Sequence, residues 1–582
     1  MEYKDDTPSS SINKAMKILS EFGIEVKSRE YSYGEQLFSM KMYCESLGFA
    51  VNGKGISREY CLASACGEAI ERITNMHLND RFFENLDEKA KTYKGFHYYP
   101  DEVMLDIAQV LENQDITRDI LATMEESDGQ ITDDENALRE IWDQYIDINN
   151  QCVCVPFYNI KCQEVQYLPF EIIKRICRSN GMAAGNSPEE ALCQAISEIC
   201  ERHVQEIVLR NKLSLPNIPI DIIAQKAEDM SELICNMTSN NEMRILVKDA
   251  SLGEGFPVVC VILIDMKCQR YRIKFGSHPV FRIALERCLS EMAQGNTFSP
   301  EDNELLMTNW NHYNQENVDT LYNWGITHRR NEGNIPNELF ISSNEPIKLW
   351  NEIENYTNLK GVQYLIDLFM NMGKNIYIRD NSCLGFYSYR VYIPDVSTTY
   401  KFYPLGRNTK KMEIYKKKLN RSEDFIFLNS EEKKELLDIL EQDHIYGLTE
   451  NIKVTENVLK AALAFDLKMY EKAKQYLLNE EKLSIYMKVV LREIELLIQG
   501  IDKDIRNQLL RLFFDEKYVL YLEMNWRDTD VTAFIQDPFR RKDISGRNAR
   551  GISVEACSGV FCKVKDYLDV IDQREIQKIY KK

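Results

Sequence analysis

Three times along this chain a run of strand-forming residues carrying glycine hands over to a helix of small apolar residues interrupted by carboxylates and an arginine. The first unit is FAVNGKG followed by ISREYCLASACGEAIERITNMHL. The second is YLPFEIIKRICRSNGMAAGN followed by SPEEALCQAISEICERHVQEIVLRNKL, and the third is RYRIKFGSHP followed by VFRIALERCLSEMAQG. Ala63, Ala65, Cys66, Ala69, Ile70 and Ile73 leave no ordinary solvated face around the charges of the first helix. Helical residues three, four, seven and eight apart share a face. That rule aligns Ser64, Glu68, Glu71 and Arg72, then Glu198, Glu201 and Arg202 with Gln194 one turn earlier, then Arg287 and Glu291. The glycines are expected at strand-to-helix turns. Ser187 is expected to cap the second helix, with Pro188 at its first position and Glu190 three residues after the cap.

Taken singly, Glu68–Arg72 and Glu198–Arg202 read as surface ion pairs worth a few tenths of a kcal/mol. Taken together, three converging helices bring at least five carboxylates into apolar surroundings, where they are costly unless neutralised. Such a cluster repels itself and raises its own pKa values unless cations lie between its members. Magnesium suits it, because that ion takes hard oxygen ligands and is completed by nucleotide phosphates. Arg72, Arg202 and Arg287 would address the same phosphates, since a planar multi-donor cation matches an oxyanion. A competing phosphate site fails: Gly48 to Lys54 fits a P-loop, but Gly55 stands where Ser or Thr belongs. It is left open whether Lys54 lies near the site.

At 582 residues the chain has length for two or three domains. A net charge of -19 argues against general nucleic-acid binding, which depends on phosphate neutralisation. No apolar run reaches a bilayer crossing and MEYKDDTPSSSINKAM has no signal-peptide h-region, so a cytoplasmic protein without membrane association is expected. The 16 cysteines sit mostly in apolar segments, as reduced small hydrophobes do. Cys152 and Cys154 form a CxC pair with no partner pair at zinc-like spacing. A helix is expected over 8–24 and a surface insertion over about 90–150, with MEESDGQITDDENALRE its acidic part. From about 445 to 582 helical periodicity takes over, and LKAALAFDLKMYEKAKQYLL is similar to one tetratricopeptide-like helix pair without a clean repeat.

The motifs NGKG with LASACGEAIER, SNGMAAGN with EALCQAISEICER, DASLG, and GSHPVFRIALERCLSEMAQG resemble those of the YcaO family. The resemblance extends over essentially the whole chain to long stand-alone members. It implies an α+β ATP-binding domain over 1–430, with mixed or antiparallel sheets and helices, then an all-α tetratricopeptide-like domain over 445–582. It implies ATP and several Mg2+ ions in a cleft, with Glu68, Glu71, Glu198, Glu201 and Glu291 as metal ligands. Nucleotide contacts carried over in the same way are Ser64, Arg72, Asn186, Glu190, Arg202 and Arg287, joined by Lys4 and Ser11. Arg287, Arg202 and Glu291 would serve the reacting phosphates.

Family members activate a backbone amide by phosphorylating its oxygen, after which a nucleophile replaces it. A neighbouring Cys, Ser or Thr then yields an azoline, and a sulfur donor a thioamide. Azoline-forming members commonly end in a proline-rich tail, whereas this chain ends REIQKIYKK and its last proline is Pro538. The stand-alone branch is associated with β-methylthiolation of a ribosomal protein. Two readings stay open: an ATP-dependent amide-activating enzyme acting on a protein or peptide, including a natural-product precursor, or a nucleotide-binding accessory protein that recruits a methylthiotransferase or other modification enzyme. A homodimer is implied by the resemblance alone.

Overall fold

In the computed structural model of the chain, the structure describes residues 3–33, 37–44, 49–77, 98–119, 151–239, 241–292, 307–310, 333–382, 385–398, 415, 428–442, 455–480, 483–525 and 571–580. They form two compact units, 1–404 together with 545–582, and 405–544.

The first unit opens with helix α1, Pro8–Glu21, whose N-cap Thr7 side chain accepts from the Ser10 N–H. Strands β1 (Lys27–Tyr33), β2 (Leu37–Cys44) and β3 (Phe49–Gly55) make a three-stranded antiparallel sheet on which α2, Arg58–Thr74, lies. Then come β4 (Val103–Asp106), β5 (Gln151–Asn159), β6 (Glu164–Pro169), a helix at Phe170–Cys177, β7 (Met182–Gly185) and the long helix α3, Pro188–Arg210. Helices Ile220–Lys226 and Glu228–Thr238 lead to β8 (Met243–Asp249), β9 (Val258–Asp265), β10 (Arg270–Ser277), α4 (Phe281–Met292) and β11 (Thr308–Asn309). Helix α5 (Asn358–Asn371) and strands β12 (Tyr377–Asp380) and β13 (Tyr387–Tyr392) follow. The second sheet runs β4-β5-β12-β13-β7 with β6 also on β5, and the third runs β11-β10-β9-β8. Every ladder among the described residues is antiparallel.

The recurring glycines do something other than turn the chain. Gly53, Gly185 and Gly276 lie within strands, outside the left-handed region. A Cβ on Gly53 would stand 2.0 Å from the Cys61 carbonyl oxygen; one on Gly185, 2.9 Å from Ala191 N; one on Gly276, 2.5 Å from the Ala284 carbonyl oxygen. Each strand therefore touches the backbone of the helix that follows it, and only a residue without a side chain permits that approach. The small residues of the three helices are the other half of the same contact. This corrects the expectation of glycine turns: close packing, not backbone conformation, selects them.

Other expectations also shift. The amino-terminal helix ends at Glu21, and Phe22 is its C-cap. Residues 98–119 are integral to the second sheet and not a surface insertion: β4 pairs with β5, and buried Asp119 accepts from the Tyr392 hydroxyl at 2.6 Å. The acidic stretch 124–140 lies outside the described residues. The tail departs from the helical region, because Gln573 accepts from Asp380 N at 2.7 Å and donates to its carbonyl at 3.1 Å, while Ile576 is buried in the first unit's core. The 13 described cysteines are all free. No described helix is long and apolar enough to cross a membrane.

Within the second unit the described elements are helices at Ser430–Gln442, Glu456–Asp466, Tyr470–Leu478, Ile485–Ile498, Lys503–Phe513 and Glu516–Asn525. Each packs on the one before it. Their core includes Leu436, Leu440, Leu459, Leu463, Leu477 and Val490, and Arg506 pairs with Glu493 at 2.7 Å beside it.

Candidate functional site

The three strand–helix units bring their charged stripes together in the first unit. On α2, Arg72 Nη2 donates to Glu68 Oε1 at 3.0 Å and its Nη1 lies 3.4 Å from Glu71 Oε1. Glu68 also accepts from the Asn52 N–H of β3 at 3.1 Å. Ser64, one turn earlier, is half-buried. On α3, Arg202 Nη2 lies 3.9 Å from Glu198 and 3.8 Å from Glu201, longer than a hydrogen bond. On α4, Glu291 meets the ammonium groups of Lys54 from β3 and Lys274 from β10, the latter at 3.4 Å.

Electrostatics tie these groups into one cluster. Burial pushes the Glu71 carboxyl up to about 8, against the pull of Arg72 and with the help of Glu198 and Glu68. Burial likewise pushes Glu201 up to about 7, and the Glu291 charge adds to it. Glu198 is raised by burial despite Arg202, Arg72 and Lys54. Glu291 goes the other way: burial opposes its charge, but Lys54 and Lys274 outweigh it and hold the carboxyl well below the usual range. The Lys274 ammonium is itself brought down to about 7 by burial. The cluster is thus short of positive charge near Glu71, Glu198 and Glu201 and well supplied at Glu291.

A second group of expected residues gathers at the start of α3. The Ser187 side chain caps the helix, accepting from Glu190 N at 3.0 Å, and Pro188 opens it. The Glu190 carboxylate accepts from Lys4 Nζ at 2.9 Å, Asp5 N at 3.0 Å and Asn186 Nδ2 at 3.1 Å. Burial works against its charge, yet Lys4 and these donors hold its pKa below the ordinary value. Ser11 Oγ donates to Asn186 Oδ1 at 2.7 Å. Lys4 and Ser11 therefore do reach the residues around Glu190. Arg287 donates to the Ser277 carbonyl at 2.6 Å, while Glu291 takes its cations from neighbouring strands.

Among the described residues, no three His, Cys, Asp or Glu side chains stand close enough to share one metal ion. The five expected ligands are linked pairwise by their charges: Glu68 and Glu198 act on Glu71, and Glu291 acts on Glu198 and Glu201. The donor set still suits magnesium and a phosphate: every candidate ligand is a hard oxygen, two carboxyls lack enough counter-charge, and Arg72 Nη1 is buried without a hydrogen-bond acceptor. Sequence reasoning left Lys54 open and overlooked Lys274. The available signal was the inward alternation of Arg272, Lys274 and Gly276 along β10, all buried beneath α4.

Comparison with known proteins bears on what the site serves. Residues 52–397 match the family described as YcaO cyclodehydratase, ATP- and Mg2+-binding. The chain is 29% identical over 406 residues to the ribosomal protein S12 methylthiotransferase accessory factor YcaO of Escherichia coli, covering 68% of this chain and 66% of that protein. It is thus matched over just under two thirds of that relative's length. A heterocyclase in complex with substrate and cofactor aligns with TM-score 0.47 and 16% identity, over 68% of this chain and 52% of the other. YcaO from Methanopyrus kandleri, bound with AMPPCP and Mg2+, aligns with TM-score 0.43 and 15% identity, over 68% of this chain and 93% of the other.

Proposed function

The chain belongs to the YcaO family, and from that premise we propose that it binds ATP with Mg2+ between α2, α3 and α4 and activates a backbone amide of a protein or peptide. The observation that carries the reading is the shortage of positive charge at half-buried Glu71 and Glu198 and buried Glu201, on helices that also carry Arg72 and Arg202. Glu68, Glu71, Glu198, Glu201 and Glu291 would hold the metal. Arg72, Arg202 and Arg287 would face the phosphates, and Ser64, Asn186 and Glu190, with Lys4 and Ser11, the rest of the nucleotide. Bound ATP supplies the phosphoryl group that turns an amide oxygen into a leaving group.

The protein's own part is positioning and charge stabilisation. Carboxylates held on three helices, each packed on its own strands, fix where positive charge collects. Arginines anchored to the same helices stand ready for charge that shifts between phosphate oxygens. Lys54 and Lys274 keep Glu291 ionised before any metal arrives, so that ligand need not lose a proton first.

The E. coli relative's name favours a second reading, in which the chain assists a separate methylthiotransferase and any amide chemistry is subsidiary. Incubating the chain with a candidate ribosomal protein, ATP, Mg2+ and sulfide, then weighing the protein by mass spectrometry, separates the two. A mass change without a second enzyme supports amide activation. Modification that appears only when a methylthiotransferase is added supports the accessory role.

A further inference from the structure

Strand β8 is the edge of the third sheet, paired along its length with β9 on one side. Three bonds fix the direction of its backbone groups. Met266 N donates to the Glu242 carbonyl at 2.9 Å on the β9 side, whereas on the outer side Ile218 N donates to the Val247 carbonyl at 2.8 Å and Asp249 N to the Pro216 carbonyl at 2.9 Å. In an antiparallel ladder alternate residues turn their N–H and C=O the same way. Met243 and Ile245 therefore point both groups outward, as Val247 does. The chain itself pairs with the far end of this edge, where Asn217 stands opposite Lys248 in antiparallel sense. Pairing stops at Pro219, which has no N–H and is the N-cap of the helix Ile220–Lys226. Beyond it, the outward groups of Met243 and Ile245 and the Val247 N–H have no backbone partner among the described residues.

A groove of about 380 Å3 lies against this open stretch. Met243, Ile245 and Val247 line it from the strand, and Ile220, Ile223 and Ile234 from the two helices that precede β8. Ile220 is left 41% exposed. Arg244 is the one charged residue of the lining; it is exposed and makes no ion pair or side-chain hydrogen bond among the described residues. A row of unpaired N–H and C=O groups is a template for another extended chain. Cross-strand partners share a face, so residues placed opposite Met243 and Ile245 would side with the groove, and the residue between them would fall beside the Arg244 guanidinium.

We propose that the open edge of β8 binds an extended peptide by antiparallel strand addition, with β-branched apolar residues two apart on the groove side and a carboxylate between them at Arg244. The edge supplies the main-chain bonds, the isoleucines take the apolar side chains, and the unpaired guanidinium selects the acid. The docking edge stands whether or not the nucleotide reading holds, because it is probed without ATP or Mg2+.

The test is fluorescence anisotropy of a labelled peptide of sequence TVEVT titrated with the full chain. The expected result is saturable binding of one peptide per chain, about fivefold weaker for TVKVT. Binding should be lost when both valines are N-methylated, since their N–H groups would face the Met243 and Ile245 carbonyls. Arg244→Glu should reverse the preference in favour of TVKVT, and its exposed position leaves folding intact, which circular dichroism melting checks. Ile245→Pro, which removes an outward N–H and spares the β9 ladder, should weaken TVEVT as well. No saturable binding of TVEVT, equal affinity for its N-methylated form, or an unchanged preference in Arg244→Glu would each overturn the proposal. So would sedimentation showing a parent dimer that Arg244→Glu dissociates, because a second copy of the chain would then occupy the edge.

Discussion

Replacing Glu201 with Gln should make the ligand-free protein more stable and the ligand-bound protein less so. In the structure Glu201 is 8% exposed, and Arg202 lies 3.8 Å away, too far for a hydrogen bond. Its carboxyl is raised from 4.5 to about 7 by burial and by Glu291. That displacement corresponds to roughly 3 kcal/mol against the ionised form. Because the folded pKa lies above the unfolded one, the native chain holds a proton that the unfolded chain has lost, and stability falls as pH rises from about 4.5 through about 7. Glutamine cannot ionise and keeps nearly the same shape. Without metal, the variant should therefore melt several degrees above the parent at pH 8 and at the same temperature near pH 4. Adding Mg2+ and ATP should stabilise the parent strongly and the variant weakly, since a ligand that binds only the native state raises its stability. Scanning calorimetry at the two pH values, with and without ligand, reads all four quantities. A variant that is less stable than the parent at pH 8 without ligand would refute the charge-shortage argument.

Other outcomes follow from the same geometry. Mg2+-dependent nucleotide affinity should rise between pH 6 and 8, as Glu201 and Glu71 lose protons near about 7 and about 8, and isothermal titration across that range would show it. Arg287→Ala should lower ATP turnover by orders of magnitude in a phosphate-release assay, as the loss of a phosphate-directed arginine does, whereas a merely structural contact to the Ser277 carbonyl would cost a few fold. Ile576→Ala should cost about 2–5 kcal/mol in denaturant unfolding of the first unit, because that side chain is buried in its core although it lies near the end of the sequence.

The repeated strand–helix unit was legible because its signal is local: strand alternation, then helical spacing with carboxylates at three and four. The Ser187 cap with Pro188 was legible for the same reason. The glycines were visible but misassigned, since sequence does not distinguish a glycine that turns from one that admits a neighbouring backbone. Lys274 was missed because it is one of three basic residues along β10, and its meaning depends on what α4 lays over it. The return of Gln573 to Asp380 spans 193 positions, and no periodicity in the tail announces it. Glu190 shows how local and distant demands mix: its N–H obeys the helix cap, while its carboxylate serves Lys4, Asp5 and Asn186.

On the proposed reading, carboxylates on three helices jointly hold Mg2+ for a nucleotide. Titration calorimetry of ATP into the full chain, with Mg2+ or with EDTA, tests it most directly when run on the parent and on Glu68→Gln, Glu198→Gln and Glu291→Gln, one from each helix. ATP binding should require Mg2+ and be weakened at least tenfold by each substitution, in proteins that still melt cooperatively. ATP affinity that is indifferent to EDTA, or unchanged in all three folded variants, would contradict it.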